Sequence, residues 1–218
     1  MSKLLIVANL KSYKDLDEAK IWLGEFLKYK DAFQNLQDKE IIICPSFPYL
    51  FSFNSALSEN IKIGAQDISP FDEGAYTGEV NAKQIKDFAQ FVLIGHSERR
   101  VNFGETDDMF LKKVQLSLKY NLEPIFLLQN KDETIPGGVK IVAYEPIFAI
   151  GSGTPDTPEN ADNIALSIKG KGNYQVLYGG SVTSGNVKSF TDKNNLNGVV
   201  VGGASLDPEE FIKIIQNA

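Results

Sequence analysis

The chain is poor in the residues that build covalent or metal-bound frameworks. Of 218 residues only Cys44 is cysteine and only His96 is histidine. One cysteine excludes an intrachain disulfide scaffold and a cysteine-ligated metal site, and one histidine excludes a histidine-rich one. Long apolar runs are lacking too. The first, Leu4-Leu5-Ile6-Val7-Ala8, is too short for a signal peptide or a membrane span, so a cytoplasmic protein is expected. Positive charge is in deficit, with 22 Lys and Arg against 28 Asp and Glu, a net charge of −6 and a pI near 4.9. That balance speaks against nucleic acid as a partner. A small anion stays compatible, because bare backbone N–H groups bind phosphate inside acidic proteins. There is no internal repeat beyond the alternation described below, no low-complexity tract and no dinucleotide-binding glycine fingerprint.

What the chain has is a series of short apolar runs: Leu4–Ala8, Ile41–Cys44, Ile61–Ala65, Phe91–Ile94, Pro124–Leu128, Val139–Ala143, Tyr174–Leu177 and Val199–Val201. They are continuous rather than alternating, which suits strands covered on both faces in a parallel sheet. Helical signals lie between most of them. Asp17–Tyr29 places Ile21, Trp22, Phe26 and Leu27 at helical spacing, and Asp107–Tyr120 does the same with Phe110, Leu111, Val114 and Leu118. Thr157-Pro158-Glu159 and Asp207-Pro208-Glu209 each read as an N-cap followed by proline in the first turn. Eight strands alternating with helices predict an α/β fold, a (βα)8 barrel forming one domain over residues 1–218, with a doubly wound sheet as the alternative. One crossover is short. Between Leu128 and Val139 the ten residues include Pro136, Gly137 and Gly138, and a parallel crossover ordinarily needs a dozen or more. The helix between strands five and six is therefore expected to be absent or reduced to a turn.

The residues just past the strands differ in character from the strands. Asn9 and Lys11 follow the first, His96 the fourth, and Glu145 the sixth, before the stretch Ile147–Thr154 with Gly151 and Gly153. Gly179-Gly180-Ser181 follows the seventh and Gly202-Gly203 the eighth. Singly, each has a commonplace reading: a tight turn, a solvated lysine, a salt-bridged acid, a structural histidine. Together they fit the C-terminal face of a barrel, where active sites are built and where glycines after strands seven and eight receive phosphate. Lys11 adds positive charge. Glu145 and His96 then offer a base and a proton donor for abstraction beside a carbonyl, and the glycine-rich stretch could close as a lid.

These segments resemble the triosephosphate isomerase family, the source of the TIM-barrel name. Ala8–Lys11, Gly64–Gln66, Gly74–Glu79, Gly95–Arg100, Ala143–Pro146, Tyr178–Val182 and Val201–Leu206 carry the resemblance, in family order. It implies interconversion of dihydroxyacetone phosphate and D-glyceraldehyde 3-phosphate through an enediolate, in glycolysis and gluconeogenesis, without metal or cofactor. By the same resemblance Glu145 is the base, His96 polarises the carbonyl and shuttles protons, and Asn9 and Lys11 stabilise developing charge. Gly151, Ser181, Gly202 and Gly203 would hold the phosphate with Asn9 and Lys11. Ser97, Glu98 and Tyr178 would stand behind these groups. Thr77, in a loop that family members insert into a partner, implies a homodimer. The chain departs from the family in four places: it is short after strands five and six, Leu127–Asn130 replaces Cys-x-Gly-Glu, the lid has Phe148 and Thr154-Pro155-Asp156, and Val200 stands where Leu is usual. A different phosphate-binding barrel enzyme and a catalytically silent relative are the competing readings.

Overall fold

The computed structural model describes residues 3–29, 33, 36–57, 61–151 and 153–218. Ser152, in the stretch read as a lid, lies outside the described residues.

Eight parallel strands close into a barrel in sequence order. They are β1 (Leu4–Asn9), β2 (Lys39–Cys44), β3 (Ile61–Ala65), β4 (Phe91–Ile94), β5 (Glu123–Leu128), β6 (Ile141–Tyr144), β7 (Gln175–Tyr178) and β8 (Gly198–Val201). Closure comes from β1 pairing with β8 in the register Leu5↔Gly198 to Ala8↔Val201. The continuous apolar runs follow from burial on both faces. Leu5 and Val7 point into the lumen with Ile42, Leu93, Ile125 and Leu177, while Ile6 and Ala8 join the core beneath the helices.

The helices described are α1 (Leu16–Leu27), α2 (Leu50–Ala56), α3 (Ala82–Ile85), α4 (Ser97–Phe103), α5 (Asp107–Lys119), α6 (Pro158–Lys169), α7 (Val187–Thr191) and α8 (Pro208–Asn217). Local chemistry sets their starts. Asp15 caps α1 in a reciprocal capping box with Glu18, Thr157 accepts from the Asn160 N–H ahead of Pro158, and Asp207 accepts from the Glu209 and Glu210 N–H groups. The face that α1 buries holds Ala19, Trp22 and Phe26, with Trp22 stacked on Phe26 and Phe26 on Phe211 of α8. Ile21 is exposed, as are Leu111 and Leu118 of α5 in part. Lys113 takes the buried position on α5 instead, because two carboxylates wait there.

Several strand boundaries differ from the sequence reading by one or two residues. β6 begins at Ile141, not Val139, because Gly137 and Gly138 form a turn that Val139 has yet to leave. Between β5 and β6 the described chain carries turns only, with no helix.

Candidate active site

At the C-terminal ends of the strands lies a hollow of about 390 Å³ lined by Asn9, Lys11, His96, Glu145, Gly151, Ser181, Gly202 and Gly203. Eight positions drawn from five strand ends and the stretch after β6 thus converge on one space. Thr77 lies elsewhere, exposed on the loop after β3.

The β1 end is shaped by hydrogen bonds. Lys11 has φ +52, and its N–H donates to Asn9 Oδ1 at 3.1 Å. Its carbonyl accepts from Ser46 Oγ at 2.8 Å and Gln66 Nε2 at 2.9 Å. This locks a left-handed backbone that a residue with a Cβ adopts only at a cost. The Lys11 ammonium pairs with Glu98 Oε1 at 2.5 Å.

His96 caps α4, so its ring is oriented by the helix it starts. The Glu98 N–H donates to His96 Nδ1 at 3.2 Å. An Nδ1 that accepts carries no proton, so the ring's proton belongs on Nε2. Nε2 stands 3.1 Å from Glu145 Oε1. The other Glu145 oxygen accepts from the Ser97 N–H at 3.3 Å and Ser97 Oγ at 3.1 Å. Asn9, His96, Ser97 and Glu145 are all at least 95 % buried, so these contacts compete with little water.

The opposite wall is backbone. Ser181 has φ +49 and donates its hydroxyl to Ala149 O at 2.6 Å, tying the β7 end to the stretch after Glu145. Gly202 lies against Lys11: a Cβ there would meet Lys11 Cε at 3.2 Å. Gly203 opens a short 3-10 turn, Gly203–Leu206, whose Ser205 is fully buried. Trp22 Nε1 donates to Ser205 O at 2.9 Å, and Ser205 Oγ reaches Gly202 O at 2.7 Å. Within that turn the Ser205 N–H donates to Gly202 O at 2.9 Å.

Tyr178 stacks on Phe190 with centroids 4.2 Å apart, and its hydroxyl accepts from the Asp156 N–H at 2.7 Å. Asp156 also accepts from Tyr144 Oη at 3.3 Å and Asn160 Nδ2 at 2.7 Å. Burial, with Asp156 beside it, pushes the Tyr144 phenol up to about 12. Burial likewise raises Tyr178, against the hydrogen bond from Asp156. Asp156, met in the sequence only as part of a departure from the family, thus anchors the chain just after Pro155. Ile147 and Phe148 on that stretch are largely exposed.

The sequence model of the triosephosphate isomerase family matches residues 4–139 and 128–218. The curated relatives include triosephosphate isomerases from Aquifex aeolicus, 35 % identical over 97 % of this chain and 98 % of its own length, and from Dictyoglomus turgidum, 36 % identical over all of both. One from Thermodesulfovibrio yellowstonii is 38 % identical over 99 % of this chain and all of its own. The chain belongs to the triosephosphate isomerase family.

Family membership makes it an intramolecular aldose–ketose isomerase with a triose phosphate substrate. The two matched segments overlap at residues 128–139, the crossover that lacks a helix. The Dictyoglomus turgidum alignment spans 252 positions against 218 residues in this chain. The family's acid after β5 is missing from Leu127–Asn130, yet Arg100 is not left alone: its Nη1 pairs with Glu133 Oε2 at 2.9 Å. Val200 lines the same hollow as Glu145. Among the described residues no helix is long and apolar enough to cross a membrane.

Proposed function

We propose that residues 1–218 act as one barrel domain that interconverts dihydroxyacetone phosphate and D-glyceraldehyde 3-phosphate through an enediolate, with Glu145 as base. Glu145 takes a proton from the carbon beside the carbonyl and returns it to the neighbouring carbon. The Nε2–H of neutral His96 hydrogen-bonds to the carbonyl oxygen and moves protons between the two oxygens. Lys11 and Asn9 stabilise the negative charge that develops there. The phosphate is held by the backbone at Gly151, Ser181, Gly202 and Gly203. Ser97, Glu98 and Tyr178 act by holding Glu145, Lys11 with His96, and the lid anchor in turn.

The observation that carries this reading is the Glu98 N–H on His96 Nδ1. It leaves a donor, not an acceptor, facing the carboxylate and the space for substrate. Both Glu145 oxygens are engaged on His96 and Ser97, so the base leaves these partners when substrate enters. Movement of the exposed Ile147–Phe148 stretch over the ligand supplies that displacement and excludes water.

The reading extends to a cytoplasmic homodimer working in glycolysis and gluconeogenesis. Its support is the exposed loop around Thr77, stiffened by Phe71 stacked on Tyr76 at 4.3 Å and by the Lys83–Glu73 pair at 2.5 Å. No nucleic acid and no membrane partner is proposed.

Turnover of glyceraldehyde 3-phosphate by the purified chain, beside Glu145→Asp and His96→Gln, tests it. Loss of about 10²- to 10⁴-fold in kcat in each variant is expected. A folded protein without turnover would favour a silent relative, and a monomeric mass by light scattering at micromolar concentration would remove the dimer.

A further inference from the structure

We propose that Glu133, in the helix-less loop between β5 and β6, is a positioning residue for the His96–Glu145 pair, acting through Arg100; this rests on the isomerase reading of the site. The Arg100 guanidinium is engaged on every side. Its Nε donates to Gly95 O at 2.7 Å and its Nη2 to Leu127 O at 2.8 Å. Its Nη1 meets Glu133 Oε2 at 2.9 Å, and its plane lies over the Phe110 ring at 4.5 Å.

The two carbonyls it bridges are the ones that matter. Gly95 directly precedes His96 and has φ +82; a Cβ there would fall 3.1 Å from Arg100 Nη2 and 3.2 Å from Leu127 O. Leu128, next after Leu127, accepts the Glu145 N–H at 2.7 Å. One planar cation therefore sets the spacing between the turn that aims His96 and the strand end from which Glu145 hangs.

That bridge needs an anion. The Arg100 side chain is 16 % exposed, and a guanidinium so far from water is costly unless its remaining donors are paired. Glu133 is itself held. Its Oε1 accepts from the Gln129 N–H at 2.8 Å, the Asn130 N–H at 3.2 Å and Asn130 Nδ2 at 3.3 Å. The loop is too short for a crossover helix, and it folds back on a single carboxylate that it presents to Arg100. Glu133 touches neither Glu145 nor His96, so it acts on their relative placement. Displacements of about 1 Å at reacting groups can cost on the order of 10²-fold in rate.

Because the chain has one histidine, ring signals in a ¹⁵N-histidine NMR spectrum report His96 alone. The test compares wild type, Glu133→Gln and Glu133→Asp for kcat, KM, inhibition by inorganic phosphate, and these ring signals. In Glu133→Gln we expect kcat to fall about tenfold. KM and phosphate inhibition should change less than about twofold, because the β7 and β8 ends are untouched. The His96 signals should shift, and Glu133→Asp should recover part of both effects. Wild-type kcat with unmoved ring signals would overturn the proposal, as would a kcat loss matched by loss of phosphate inhibition, the mark of general loosening. An inactive wild type would overturn the isomerase reading instead, and the ring signals would then decide the role of Glu133. Should Glu133→Gln not fold, Arg100→Lys keeps the charge and loses the bridge. It must reproduce the split between kcat and KM, and its absence would also overturn the proposal.

Discussion

The barrel has a hollow at each end, and the larger one is at the wrong end for chemistry. The N-terminal hollow holds about 940 Å³ and is lined by Lys3, Lys62, Lys140 and Lys169 with Glu40 and Glu123 among others. The C-terminal one holds about 390 Å³. Both are polar. At the N-terminal end, however, charges lie open to water: Lys140 is 72 % exposed in a 3.3 Å pair with Glu123. At the C-terminal end His96 and Glu145 are 95 % and 96 % buried, each bonded to backbone N–H. Strand C-termini lead into loops and helix N-termini, which offer donors. Strand N-termini follow helix C-termini, which offer carbonyls. Volume does not make a site; oriented donors do.

The sharpest way to break this contrast is to remove the charge at the C-terminal end. Lys11→Met should lower kcat/KM by about 10²-fold or more, because a held cation near developing negative charge has no replacement from water. Steady-state kinetics with glyceraldehyde 3-phosphate decide it, and a loss under tenfold would place Lys11 among the merely solvated charges.

A second test uses pH. Just past β3, Asp67 meets Lys113 at 2.6 Å and Arg99 at 2.9 Å, and both bases also bind Glu105. Burial pushes the Asp67 carboxyl up to about 6 despite Lys113, with Glu105 adding to the rise and Arg99 opposing it. An acid raised in the folded state favours folding most below its unfolded pKa near 4, and that contribution is lost as pH rises through about 6. Wild-type Tm should therefore rise by a few degrees from pH 7 to pH 5, and the rise should flatten in Asp67→Asn. Carboxylates held low by hydrogen bonds from lysine, such as Asp72 at about 2 beside Lys119 and Tyr120, act only at lower pH. Equal slopes in the two proteins, followed by thermal melts, would count against a strained buried cluster.

The smallest effect is expected at the N-terminal end. Lys140→Ala should leave kcat and KM within about twofold of wild type and stability within about 0.5 kcal/mol, as exposed pairs contribute little. A tenfold change in either constant would mean the two ends are coupled through the barrel.

Much of this was readable beforehand because the signals are local. Strands buried on both faces cannot alternate, so Leu4–Ala8 or Phe91–Ile94 announced themselves as runs. Caps at Thr157 and Asp207 act within three residues. The faces of α1 and α5 were less legible. Ile21, Leu111 and Leu118 share the spacing of core residues, yet stand exposed in full or in part, whereas Lys113 is buried because Asp67 and Glu105, distant in sequence, neutralise it. The roles of Asp156 and Ser205 were hidden for the same reason, since their partners Tyr144, Tyr178 and Trp22 lie on other elements. For Glu133 the only signal was negative, a missing acid after β5. Nothing in the spelling of the loop says that its carboxylate turns back to Arg100 thirty-three residues earlier.

By itself, then, the order of residues determined which segments become strands, where helices start, and that His96 and Glu145 follow buried strands, because these depend on neighbours a few positions apart. Barrel closure decided the rest. Only when β1 pairs with β8 do Lys11, His96, Glu145 and Gly202 share one hollow, while the pairing of β4, β5 and β6 brings Arg100 to Glu133. Distances across a barrel are set by strand register and side-chain volume, which no local pattern records.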